Sequence, residues 1–321
     1  MIPYLSSNNR GYSDLFNFII EPLKWIVNSI FGLIASWPGA WGWSIVLFTI
    51  IVRLLLWPLD IKQKIEMKKT TDLQPLLKEI NEKHKNDPDK KNAKTAELYK
   101  TNKVNPIGGC LPLLIQMPIL FALFAVLNQI AQQQTAEMIQ KYIAHPELFA
   151  NADIFKSVHW LWVNNVWQPD ITVSLHNFLN SIFGGGKKQL VENVFLVPDN
   201  WKSIAALKNI DFAKVSVDIV QRFKGINNGL FILPILAGAT QFFQMKFMAP
   251  AGGSAQQQKG FMYFFPVFSV WICSSYNAAF SIYWVVSNLF TMLQQYVVGV
   301  FYPNLIMTQP VIKTLKEGDK K

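Results

Sequence analysis

Charge is scarce in this sequence, and over long stretches it is nearly absent. Asp, Glu, Lys and Arg make up 16% of 321 residues, against roughly 25% in soluble domains. The deficit is uneven, because residues 60–105 alone carry twenty charges. A chain that alternates between lipid and water produces that segregation. Cysteine is limited to Cys110 and Cys273, both in apolar runs. Two such residues exclude a disulfide framework and fit buried small side chains. Catalytic signatures are missing as well. His84, His145, His159 and His176 have neither metal-ligand spacing nor an acidic partner four residues away. No G-x-S-x-G, Walker loop or G-x-G-x-x-G occurs. An enzyme, a bound metal and a cofactor are therefore not expected. The first residues also lack the basic n-region and cleavage site of a signal peptide, and a lipobox-like cysteine.

What is present is apolar sequence in blocks. Residues 42–59, GWSIVLFTIIVRLLLWPL, form the first expected span, with Trp41, Trp43 and Trp57 at its ends as interfacial belts predict. Further spans are expected at 106–131, where Pro112 and Pro118 interrupt the run, at 229–249, at 261–278 and at 279–302. The N-terminal segment, 1–41, contains apolar residues at helical spacing from Phe18 to Leu33, with Glu21 and Lys24 in the gaps. An amphipathic helix lying at the interface fits it better than a span, which would place both charges in hydrocarbon.

The polar blocks fix the expected orientation. Residues 60–105 hold twelve Lys and eight acids. Ile61, Ile65, Leu73, Leu76, Leu77 and Ile80 make one apolar stripe, and Asp87-Pro88 reads as an N-cap with Pro at the first helical position. A hairpin of two antiparallel helices is the simplest reading. The tail, 303–321, is also basic. The net charge of +10 is thus a positive-inside signal rather than a sign of DNA binding. Five spans put the hairpin, the 250–260 loop and the tail in the cytoplasm, N-out and C-in. Residues 132–228, mixed in charge and rich in Trp, are then extracytoplasmic.

Arg53 is the sharpest single feature. A guanidinium at mid-span costs about 2.5–3.5 kcal/mol on insertion scales, and such residues face a protein interior or a wet cavity. The alternative is snorkelling, since Trp57-Pro58-Leu59 is close enough for the stem to reach the interface. No Asp or Glu lies in the expected spans, which argues against proton relays and coupled transport. The spans instead carry neutral hydrogen-bonding groups, among them Thr49, Gln116, Thr240, Gln241, Ser287, Asn288 and Gln294. Helix-to-helix bonding is the default role of each one. A small-solute transporter or channel is the alternative function, but it predicts repeats and intramembrane carboxylates.

Three segments resemble the YidC/Oxa/Alb membrane insertase family. YKTNKVNPIGGCLPLLIQMPILFAL, residues 99–123, is similar to the start of its second core span; WGWSIVLFTIIVRLLLWPL to its first, with Arg53 at the membrane arginine; and IYWVVSNLFTMLQQY, residues 282–296, to its last. The resemblance covers roughly 18–131 and 229–303, and implies the bacterial type without the large periplasmic domain. It implies an all-α polytopic membrane protein: a five-helix transmembrane core around a hydrophilic groove, an interfacial N-terminal helix and a cytoplasmic helical hairpin. It implies an insertase and chaperone for nascent membrane proteins in the bacterial cytoplasmic membrane. Arg53, Thr49, Gln116, Trp284 and Gln294 would line the groove, and Met117 and Pro118 would belong to the substrate-contacting face. The ribosome, the signal recognition particle receptor, the Sec translocon and the lipid bilayer are the implied partners. One departure is Asn277-Ala278-Ala279-Phe280 before the last span, where the family carries Pro-x-Gly-Leu.

Overall fold

A computed structural model describes residues 10–104, 111–145, 157–172, 174–175, 227–248 and 255–301. Every regular element among them is a helix; an isolated bridge between Trp160 and Val163 is the sole strand-like pairing among the described residues.

Helix α1 (Arg10–Ile34) buries Ile20, Val27, Ile30 and Ile34 on one face. That face packs on α2 (Ala40–Asp72) and α5 (Leu111–Ala144). Phe18, Trp25 and Leu33 point outward. The turn into α2 runs through Gly39 at φ 71°, where an added Cβ would lie 2.8 Å from the His159 carbonyl oxygen. Only glycine fits such a left-handed, crowded position.

Helix α2 does not stop at residue 59. It continues through Pro58 to Asp72, because Lys, Gln, Glu and Met beyond Pro58 all favour helix and the falling hydropathy does not affect backbone hydrogen bonding. Its first 23 residues, Ala40–Lys62, are the one helix among the described residues long and apolar enough to cross a membrane by length and composition. Helices α3 (Gln74–Lys83) and α4 (Pro88–Thr101) follow as a hairpin around buried Leu73, Leu77, Ile80, Leu98 and Val104. Asp87 caps α4, its carboxylate accepting from the Lys90 N–H at 3.0 Å. That bond holds the Asp87 carboxyl below its usual range.

Helix α5 likewise runs past residue 131, to Ala144. Its later turns are rich in Ala and Gln, good helix formers, and Met138, Ile139 and Tyr142 are buried in the main core. Helices α6 (Ile232–Met248), α7 (Ala255–Ser275) and α8 (Ala278–Phe301) complete the bundle. Helices α6 and α7 meet at Gly238, where a Cβ would fall 2.5 Å from Val270 and 3.0 Å from the Pro266 carbonyl oxygen. A small residue is what lets two helices approach so closely. Helix α8 is the hub, packed on α6 and on α2.

Residues 157–172 tie the helix starts together. The Trp41 N–H donates to the Ser157 carbonyl, and the Ala278 and Ala279 N–H groups donate to the Gln168 and Val166 carbonyls. Buried Asp170 accepts from the Phe231 N–H at 3.0 Å, the Leu233 N–H at 2.7 Å and the Trp162 indole at 3.1 Å. One short segment thus satisfies first-turn donors of α2, α6 and α8, groups that every helix leaves open. The three helices therefore begin at the same end. Asn277 forms the cap of α8, its side-chain oxygen accepting from the Phe280 N–H at 3.0 Å.

Candidate functional site

The outer surface of the bundle is apolar: Leu54 and Leu55 on α2, Phe243 and Phe247 on α6, Phe264 and Val267 on α7, and Leu289 and Leu293 on α8 are all exposed. Polar side chains gather instead on the seams of α8. Helix periodicity explains the arrangement, because Ser287, Thr291 and Gln294 recur at i, i+4 and i+7 and share one face. All three are buried.

Arg53 meets that face. It is half-buried on α2, and its Nε donates to Ser287 Oγ at 2.8 Å. Its Nη2 donates to the same oxygen. Among the described residues no carboxylate pairs with the guanidinium. Ser287 is in turn fixed by its own helix, since its carbonyl accepts from Thr291 Oγ1 at 2.9 Å. Thr49, one turn before Arg53, is fully buried and bonds back to the Ile45 carbonyl at 2.6 Å. It therefore lines the α2 side without offering its hydroxyl. Gln294 is only 1% exposed, yet neither atom of its amide has a partner among the described residues. A buried amide so placed costs about 1–3 kcal/mol.

The second seam joins α8 to α6. Trp284, half-buried, donates from its indole to Gln241 Oε1 at 3.2 Å, and Asn288 donates to Thr240 Oγ1 at 3.1 Å. Gln244, farther along α6, has a buried amide oxygen with no partner among the described residues. These neutral pairs are the helix-bonding role that membrane helices commonly give such residues.

Four of the sequence-derived residues, Thr49, Arg53, Trp284 and Gln294, thus lie on α2 and α8, two helices that pack together, with Trp284 turned to α6. The α5 residues stand apart. Met117 and Pro118 are exposed on α5, and the side chain of Gln116 lies outside the described set. Helix α5 packs on α1 and meets the α7–α8 junction through Phe124, whose ring packs at 4.3 Å on Tyr276 and 5.7 Å on Phe280, near the tied end. It touches α2 and α8 only lightly.

Sequence reasoning gave Ser287 only the default role of bonding between helices, without Arg53 as its partner, and gave the Asp170 clasp none. The first lies 234 residues from Arg53 in sequence, so no local pattern joins them. The clasp left a fainter trace, in the Asn227-Asn228-Gly229 run before α6. Asn228 donates to the Asn165 and Pro169 carbonyls at 3.0 and 2.8 Å. Gly229 lies so close that a Cβ would fall 1.9 Å from Asp170 Oδ1.

Comparison with known proteins agrees with this architecture. The family described as 60Kd inner membrane protein matches residues 33–304. A membrane protein insertase YidC of Campylobacter jejuni is 30% identical over 287 residues, 89% of this chain and 38% of the relative. The protein of the same name in Wolinella succinogenes is 29% identical over 87% of this chain and 36% of the relative. The one in Fusobacterium nucleatum is 27% identical over 88% of this chain and 96% of its own length. The chain thus spans well under half of the first two relatives and nearly all of the third. With a match running from the end of α1 to beyond α8, the chain belongs to the 60Kd inner membrane protein family.

Proposed function

We propose that this protein inserts nascent membrane proteins into the bacterial cytoplasmic membrane and assists their folding, as its relatives' name, membrane protein insertase, suggests. In this reading α2, α5, α6, α7 and α8 span the bilayer around a hydrophilic groove. The clasp end faces outward, and the hairpin and tail face the cytoplasm. Helix α1 lies at the interface. The ribosome, the signal recognition particle receptor and the Sec translocon are partners on the cytoplasmic side or within the membrane.

The free energy for such a process comes from the substrate. Each apolar helix gains by moving into lipid. What opposes it is the transfer of a polar flanking segment across the hydrocarbon. A protein lowers that barrier by shortening the apolar path and by offering hydrogen-bonding and charged groups along it. No nucleotide or metal is required.

One observation carries the reading. Arg53 sits within the helix long and apolar enough to span, and its guanidinium reaches across to α8 rather than to a carboxylate. A fixed cation without a counter-ion is suited to attract acidic residues passing through. Exposed Met117 and Pro118 on α5 support a cleft that widens away from the clasp. Gln116 and Gln294 complete the proposed groove lining.

Reconstituted vesicles test the reading. Arg53→Ala should slow insertion of a substrate with an acidic translocated tail about fivefold or more, near 1 kcal/mol of barrier. A neutral-tailed substrate should be less affected. Equal insertion of the acidic substrate by both proteins would count against the groove.

A further inference from the structure

The Arg53 stem is long enough to reach the inner interface, only a turn or so away at Trp57-Pro58. In the structure it does not take that route. Both Nε and Nη2 converge on one hydroxyl, Ser287 Oγ, across the seam between α2 and α8. Ser287 is 3% exposed, so the acceptor lies inside the bundle.

We propose that Ser287 is the positioning residue of the insertion site, a neutral dock that keeps Arg53 inside the bundle and releases it to a substrate carboxylate. The inference rests on the groove reading of Arg53. Its chemistry follows from the count of donors. A guanidinium has five N–H groups. Ser287 takes two, and the other three have no acceptor among the described residues. Those three include both N–H groups of Nη1, one side of the fork that grips a carboxylate in bidentate fashion.

The strength of the dock matters as much as its place. A hydroxyl bond to arginine is weaker than a carboxylate bond, because only one partner is charged. A passing Asp or Glu can therefore displace it. An acidic residue at 287 would hold the guanidinium too well and cancel its charge. An apolar residue would not hold it, and the side chain would extend toward the headgroups. Serine lies between these extremes. Threonine keeps the hydroxyl and should substitute for it.

The test compares insertion of two substrates, differing only in acidic or neutral translocated tails, into vesicles carrying the full-length protein. Ser287→Ala should lower the acidic-to-neutral ratio about three- to tenfold, and Ser287→Thr should restore it. Ser287→Asp should depress acidic-tail insertion alone, which keeps the inference testable if the alanine variant folds poorly. Arg53→Ala, run alongside, separates the two ideas. If it lowers the ratio while Ser287→Ala and Ser287→Asp do not, the docking role is wrong and the groove survives. If Arg53→Ala leaves the ratio unchanged, the groove reading falls and takes this inference with it. Equal losses for both tails in the Ser287 variants would show a packing role only, and would also overturn the inference.

Discussion

Arg53 bonds to a serine that lies 234 residues away, and this contact decides between two fates that its own neighbourhood left open. From the sequence, an inward cavity and a snorkelling stem were both consistent with an arginine near Trp57. Tertiary contacts resolve such choices, because a side chain's direction depends on which helix packs beside it. Gln294 poses the complementary problem. Its amide is buried without a partner among the described residues, so replacement by a similarly sized apolar residue removes a cost of about 1–3 kcal/mol. Gln294→Met is accordingly expected to raise the thermal midpoint in detergent by a few degrees. Insertion of acidic-tailed substrates should fall at the same time, if the amide serves substrate or water in the groove. Opposite movements of stability and activity are the signature. A variant less stable than the parent would show that the amide has a partner after all.

At the scale of elements, local chemistry was readable and long-range chemistry was not. The Asp87-Pro88 pair marks the start of α4 because a cap acts within three residues. Helix ends at 72 and 144 were harder to find. Hydropathy reports what surrounds a helix, whereas its length depends on backbone bonding and propensity, which continue past the apolar run. The clasp of residues 157–172 left only the Asn227-Asn228-Gly229 trace for a third reason, since Asp170 serves α6 donors more than sixty residues away.

Two predictions belong to these elements. Asp87 is held below the usual carboxylate range by the Lys90 N–H, so its cap is in place above the unfolded carboxyl pKa. It is lost as pH falls through the lower folded value. Asp87→Ala should therefore speed amide exchange across 88–101 severalfold at neutral pH, and the difference from the parent should vanish in acid. In the clasp, Asp170→Asn keeps the size but offers one acceptor oxygen where three N–H groups converge. Each N–H left without an acceptor costs about 1–3 kcal/mol. Exchange at Phe231 and Leu233 should rise and the melting midpoint should fall. Gly229→Ala, which places a Cβ against Asp170, should do the same. Unchanged exchange in both variants would deny the clasp its role.

For the whole molecule, the pattern is a bundle closed at one end and apolar outside. The clasp gathers the starts of α2, α6 and α8. Aromatic contacts of Phe124 hold α5 to the end of α7 and the start of α8. Helix α5 otherwise packs on α1 and touches α2 and α8 only lightly, and polar groups lie between α8 and both α2 and α6. Such a shape suits a site entered from one side of the membrane. All-helical architecture and family membership were legible in segregated charge and in the run from Tyr99 to Leu123. The meeting of Arg53 with Ser287 required the fold.

In the groove reading, a substrate's polar tail passes along the polar seams of α8 rather than over the lipid-facing surface. A photoreactive residue in place of Trp284, on the seam of α8 with α6, and another in place of Tyr263, exposed on α7, compare the two paths. Ribosome-bound nascent chains with an acidic tail should crosslink through the tail at 284 and not at 263. Equal tail crosslinking at both positions, or crosslinking at 263 alone, would contradict it.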